Sequence, residues 1–295
     1  MNILKSLPEK LVRRIGFNSA HFGLRLLGAR KRILLTYPEQ PYPGTSLWKI
    51  SKLLGWTITS ELGDFQRAAA VCRWEDTTFA KSWPARLEGK RVFNRDICDI
   101  SKNRMDAAHQ EAFGYALGVD GKSWPRQMVV KPVENARHGG RIVVGPLSEI
   151  PDRTVCQRVM DNSDDFGGVV DLRVVYSDGE IPFGYRKMRP ASERFSNTNV
   201  SASLLKPAQE FSIGELQAIV KLARLMGLDF GEMDVLRDRH DGRIFVCDVN
   251  TTPFGPPNNI IREDWVRALD LYCSAFVQMI EHTSNEMASV ASCLV

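Results

Sequence analysis

The sequence predicts an α+β protein (mixed α/β), on three observations. Short runs rich in Val, Ile, Phe and Tyr recur along the chain, bounded by Gly, Pro and Asp-Gly turns. Between them lie stretches whose apolar residues return at helical spacing. In the later part the strand-like runs are joined by hairpin-length turns, so mainly antiparallel pairing is expected.

Residues 1–30 are basic, with leucines and phenylalanines at roughly helical intervals. One or two helices packed on the body are expected there; peripheral contact with a membrane surface or a partner is the sharper alternative. Arg32–Tyr37 reads as a strand entering a Pro-rich loop at 38–43. Leu47, Ile50, Leu53 and Leu54 then share one helical face that closes at Gly55. Short strands at Trp56–Ser60 and Ala69–Arg73 complete a β-α-β-β start, and 91–93 reads as a further short strand. Ser101–Leu117 reads as a helix with Ser101 near its start and Gly118 at its end. Strands follow at 128–132, 141–144 and 153–160, then a hairpin of Asp171–Tyr176 and Ile181–Arg186 about Ser177-Asp178-Gly179. Ile213–Met226 is an amphipathic helix leading to Gly227, and an acidic hairpin and a helix from Arg262 to Glu281 close the chain.

With 295 residues, 43% hydrophobic and 25% charged, the chain has ordinary globular composition and suffices for two domains or one large one. A net charge of +4 permits anionic ligands without pointing to nucleic acid, and no nucleic-acid partner is expected. No apolar run approaches the ~18 residues of a membrane span. The N-terminus lacks the apolar core and cleavage site of a secretion signal. The cysteines at 72, 98, 156, 247, 273 and 293 form no CxxC pair, so a reduced, cytoplasmic setting without zinc is the expectation.

The stretch from Gly227 to Pro257 carries the most chemistry. It sets Asp234 on one strand and Asp248 and Asn250 on the next, around an Arg-His-Asp-Gly turn. Three oxygen-bearing side chains can share one hard cation, and carboxylates within apolar strands are costly to desolvate without a partner. Side chains alternate between faces, so Asp248 and Asn250 share one face. Asp234 joins them only if it lies opposite an even-numbered residue. That demands an odd-length turn, such as His240-Asp241-Gly242, or a bulge. The plain alternative is an acidic hairpin with solvated carboxylates, against which stands the apolar run Phe245, Val246, Cys247 and Val249.

Two further groups stand out. Lys131 ends a strand at a long polar loop with His138, Gly139, Gly140 and Arg141, where glycines admit a phosphate and lysine supplies charge. No GxxxxGK[ST] loop exists in the chain. Asp171-Leu172-Arg173 puts an acid and a base on one strand face, followed by Arg186, Lys187, Arg189 and Arg194. This cluster suits either a transferring phosphoryl group or a cross-strand ion pair beside a solvated basic loop, and the residues alone do not choose.

Taken in order along the chain, these parts resemble the ATP-grasp superfamily, in particular carboxylate–amine ligases of the glutathione synthetase and D-alanine–D-alanine ligase type. The matching residues are Ser101-Lys102 at a helix start and Val130-Lys131-Pro132 before Gly139-Gly140. The strand from Val155 to Met160, Asp171-Leu172-Arg173, the loop with Arg189, Arg194, Asn197 and Asn199, and lastly Asp234 with Asp248-Val249-Asn250-Thr251-Thr252-Pro253 follow. The resemblance covers about residues 95–280. It implies a small α/β domain at 31–95 and an ATP-grasp domain at 96–285, so that the basic helical segment at 1–30 precedes them and a tail at 286–295 follows.

It further implies ATP and Mg2+ as cofactors. ATP would be held by Lys102, Lys131, His138, Gly139, Gly140, Gln157 and Val159, and Mg2+ by Asp234, Asp248 and Asn250, with Arg173, Arg186 and Arg189 as catalytic cations. The implied activity is ligation of a small-molecule carboxylate, activated as an acyl-phosphate, to an amine, with peptide- or glycan-linked substrates included. A homodimer is implied as well. A hydroxyl-phosphorylating kinase and a non-catalytic nucleotide-binding regulator are the alternatives. The chain departs from the family in two places: glutamate is commoner where Asp248 stands, and some members carry arginine where Glu232 stands. One of Arg173, Arg186 and Arg189 is then expected to supply that arginine's charge.

Overall fold

The computed structural model describes residues 32–293 other than Ala136, His138, Phe195 and Asn197, with side chains as far as His282 save that of Arg86. The basic segment 1–30 lies outside the described residues.

Residues 33–93 build a four-stranded sheet. Strands β1 (Ile33–Pro38), β2 (Thr57–Thr59), β3 (Ala70–Trp74) and β4 (Val92–Phe93) are ordered β2-β1-β3-β4 and all pair in parallel. Parallel pairing requires crossovers, and helix α1 (Ser46–Leu53) supplies the first. β1 buries Leu34 on one face and Leu35 on the other, as a strand covered on both sides must.

Helix α2 (Lys102–Phe113) starts at Ser101, whose hydroxyl accepts from the Arg104 amide. It ends at Gly114, at φ +79°, not at the predicted Gly118. The amides of Leu117 and Gly118 instead donate to the Asp106 carboxylate, which turns the chain out of the helix. A three-stranded antiparallel sheet follows, with β5 (Gln127–Pro132) between β6 (Arg141–Val144) and β7 (Thr154–Arg158).

The remaining strands form a five-stranded antiparallel sheet ordered β10-β9-β8-β11-β12. These are β8 (Gly168–Ser177), β9 (Glu180–Pro190), β10 (Ser201–Leu205), β11 (Phe230–Arg237) and β12 (Ile244–Asn250). Helix α3 (Ile213–Met226) matches its predicted span. Ser212 and Glu215 close a capping box at its start, and Gly227 ends it at φ +75°. Helix α4 (Arg262–Cys293) runs past the predicted Glu281 into the segment read as a tail. No helix among the described residues is long and apolar enough to cross a membrane.

The two faces of the five-stranded sheet are unlike. On one, Leu172, Val174, Met233, Val235 and Val249 pack under α2 and α3. On the other, Val175, Phe183, Tyr185 and Phe230 meet Tyr272 and Phe276 of α4, in a core shared with Leu34, Leu47 and Trp56 of the four-stranded sheet. Further along the strands this second face turns polar.

Register decides what that polar end holds. Glu232 pairs with Asn250, Met233 with Val249 and Asp234 with Asp248; then a bulge shifts the ladder, so that Val235 pairs with Val246. Cys247 is the extra residue. The turn itself is even in length: the Asp238 amide donates to the Arg243 carbonyl, enclosing 239–242, with Gly242 at φ +73°. The bulge rather than the turn therefore sets Asp234 opposite Asp248.

Candidate active site

With the register so placed, Arg173 of β8 pairs with Asp234 of β11, and Asp234 with Asp248 of β12. All three side chains stand on the polar end of one face. Arg173 grips Asp234 in a fork, Nε to Oδ1 at 2.7 Å and Nη2 to Oδ2 at 2.6 Å. Lys187 Nζ adds a bond of 2.9 Å to Oδ1. These two cations hold the Asp234 carboxyl far below the ordinary carboxylate range, against the opposing effect of burial.

One step along the strands, Asp171 pairs with Arg189 at 2.7 Å and accepts from Asn162 at 3.0 Å. Burial pushes its carboxyl up, although Lys187 and Arg189 pull it down. At the sheet edge, Lys102 at the first turn of α2 donates to Asp248 Oδ1 at 3.0 Å and to Asn135 Oδ1 at 2.9 Å. Asn135 is tied in turn to the Val249 carbonyl at 2.9 Å.

The three-stranded sheet faces this row. Its outer face buries Met128, Val130 and Cys156; the alternate residues Val129, Lys131, Val155 and Gln157 share the inner face. Lys131 is close enough to feel Cys247, Asp248 and Asp234 across the gap. Burial nonetheless lowers its ammonium below the ordinary lysine value, helped by Lys102. On the same inner face Ile142 and Val144 are exposed, leaving apolar surface open beside Lys131.

Most of the predicted residues are brought together; some are not. Arg186 lies on the opposite face, against Glu210 at 3.4 Å, because it is an odd number of residues from Arg189 on an unbroken strand. Lys187 takes the place expected of it. Gly139 and Gly140 lie in the β5–β6 connection, and His138 falls outside the described residues. Gln157 is buried on β7, and Val159 follows that strand. Asp171 and Lys187 stand out in the sequence as members of the charged cluster but carry no assigned role there, and Asn135 does not stand out at all. Strand parity on β9 would have chosen Lys187 over Arg186, whereas nothing local marks Asn135, which acts through tertiary contacts.

The donor sets can be tested against the groups they would hold. Asp248 and Asn250 offer hard oxygens: Asn250 Oδ1 accepts only the Thr252 amide, at 3.0 Å, among the described contacts. Asp234 Oδ2 accepts one bond from Arg173, which leaves a lone pair. Two carboxylates and an amide suit Mg2+ rather than a softer metal. Among the described residues no trio of His, Cys, Asp or Glu is arranged to hold a metal. For a nucleotide, the inner face of the three-stranded sheet supplies Lys131, open apolar surface and the buried Gln157 Nε2, a donor without a partner among the described residues.

No protein-family model and no curated protein matches the chain. Solved structures do. The ATP-grasp ligase PsnB, complexed with minimal precursor, Mg and ADP, matches at TM-score 0.53 and 16% identity over 84% of this chain and 96% of that one. The D-alanine–D-alanine ligase of Bacillus anthracis complexed with ATP matches at TM-score 0.51 and 14% identity, over 88% of this chain and 98% of that one. In a further PsnB complex, with minimal precursor, the match spans 65% of that chain. At these identities the likeness concerns the fold: the chain has the ATP-grasp fold.

Proposed function

We propose that the chain is an ATP-dependent ligase that activates a carboxylate as an acyl-phosphate and joins it to an amine. The observation that carries this reading is one row of side chains, Arg173, Asp234 and Asp248, with Lys187 on Asp234, Lys102 at the edge and Lys131 opposite. A purely structural ion-pair network does not need cations gathered from two sheets and a helix start. Anionic phosphates do.

In this reading Lys102 and Lys131 neutralise the phosphates, and the open apolar face beside Lys131 takes the base. Asp248, Asn250 and Asp234 would hold Mg2+, whose chemistry is to draw charge from phosphate oxygens. Arg173 and Arg189 bind the substrate carboxylate, one of whose oxygens attacks the γ-phosphorus as ADP leaves, and then the phosphoryl group it has taken up. Amine attack on the acyl carbon then expels phosphate, the nitrogen gives up a proton, and the same cations stabilise the tetrahedral oxyanion. PsnB was solved with its precursor peptide PsnA2 and AMPPNP, so peptide carboxylates belong among the substrates to be tried.

The test is ADP release from Mg-ATP across panels of carboxylates and amines, with product mass measured. Release should require a carboxylate, the amine should enter the product, and Asp248→Ala should lower turnover at least about a hundredfold. Turnover without any carboxylate, or a product lacking the amine, would overturn the reading. ADP release coupled to a hydroxyl acceptor would mean a kinase.

A further inference from the structure

Glu232 stands two residues before Asp234, fully buried on the same face. Its Oε2 accepts from Arg173 Nη1 at 3.2 Å, and its Oε1 accepts from the Tyr272 hydroxyl of α4. The loop after β12 covers this pair, since a Cβ at Gly255 would overlap both the Tyr272 hydroxyl and Glu232 Oε1. That loop is itself held from α1: Lys49 Nζ donates to the carbonyls of Phe254 at 2.8 Å and Gly255 at 3.0 Å, and the Ser46 amide to that of Pro253 at 2.8 Å.

An uncompensated buried carboxylate is costly, yet its partner here is an arginine already held by Asp234 in a two-bond fork. A guanidinium has five N–H donors. Asp234 takes those of Nε and one on Nη2, and Glu232 takes one on Nη1, leaving one donor on each terminal nitrogen unspent among the described residues. The Arg173 side chain is about a quarter exposed, at 23%, so those donors can meet an anion in the cleft.

We propose that Glu232 and Tyr272 are positioning residues for Arg173: the covered Tyr272–Glu232 pair fixes the guanidinium so that its unspent N–H groups face the transferring phosphoryl group. The inference rests on the ligase reading for its consequence, but the orientation itself can be measured without turnover. A carboxylate at 232 on β11 thus acts by directing a cation from β8. It also ties the site to α4 and, through Gly255, to α1.

The experiment compares wild type with Tyr272→Phe, Glu232→Gln, Arg173→Lys and the double variant Tyr272→Phe/Arg173→Lys. In arginine-15N-labelled protein without nucleotide, the Arg173 Nε–H resonance should shift and exchange faster in Tyr272→Phe, while thermal stability reports folding. With Mg-ATP and a productive carboxylate, Tyr272→Phe should lower kcat about tenfold and change KM for ATP less than twofold. The double variant should be no slower than Arg173→Lys alone. Ser212→Ala, which opens the cap of α3 on the opposite face of the sheet, should leave both readouts as in wild type. Should Tyr272→Phe fail to fold, Gly255→Ala crowds the same pair and takes its place. An unmoved resonance, or kinetic losses that multiply in the double variant, overturns the proposal. A shifted resonance in a protein that releases no ADP with any carboxylate supports the positioning and counts against the ligase reading instead.

Discussion

Asp234 is the residue on which the site's electrostatics turn. Its folded pKa is depressed, so the stability it contributes is present above the unfolded carboxylate value, about 3.9, and is lost as pH falls below it. Asp234→Asn leaves Arg173 and Lys187 without their shared counter-charge and should cost about 3–5 kcal/mol at pH 7. The gap from wild type should narrow as the medium is taken below pH 4, and urea melts at pH 7 and pH 3 would check both statements. Lys131 has the opposite logic. Its ammonium is depressed by burial, so the free protein loses that charge at a lower pH than an ordinary lysine does. Mg-ATP affinity should therefore weaken on the alkaline side below about pH 10.4, and Lys131→Met should remove that limb from a calorimetric pH series.

Among the elements, β9 and β12 carry the sharpest consequences of strand geometry. On β9, Lys187 and Arg189 face the site and Arg186 does not. Arg186→Ala should keep ADP release within about twofold, whereas Lys187→Ala should lower it more than about tenfold. On β12, the Cys247 bulge is what aims Asp248 at Asp234. Cys247 is the residue the ladder passes over, so deleting it joins Val246 to Asp248 in a regular ladder that still sets Asp248 opposite Asp234. Mg-ATP binding, measured by calorimetry, should therefore survive that deletion and be lost in Asp248→Ala. Ser212→Ala, which opens the capping box of α3, should cost only about 1 kcal/mol and leave binding intact. The contrast between Asp248→Ala and Ser212→Ala separates loss of a ligand-binding group from loss of stability.

At the scale of the whole molecule, one apolar core joins the four-stranded and five-stranded sheets through α4. Phe276 is fully buried there, edge-on to both Trp56 and Phe230. Phe276→Ala should cost about 3–5 kcal/mol and lower the unfolding of both sheets together, as two probes in one thermal melt would reveal. The three-stranded sheet has its own small core around Met128, Val130 and Cys156. It is joined to the larger sheet by Asn135, which bonds Lys102 and the Val249 carbonyl, and by Arg158 stacked over Phe245. Ligand binding across the cleft between them therefore adds stability by mass action in proportion to occupancy.

Much of this was legible in the chain itself. Period-two runs place most strands, capping residues and apolar period place α3, and the order Lys102, Lys131, Asp171-Leu172-Arg173, Asp234, Asp248 and Asn250 carries the family resemblance. These signals are local, because alternation and caps act over a few residues. The sequence also set the condition that Asp234 reach an even-numbered partner. Only the tertiary structure chose a bulge at Cys247 over an odd turn to meet it, since the turn closes on Asp238 and Arg243 through contacts no pattern encodes. Likewise, whether Glu232 is a lost cation or a guide for Arg173 depends on Tyr272, 40 residues away on α4. A buried charge takes its meaning from the partners that folding brings to it.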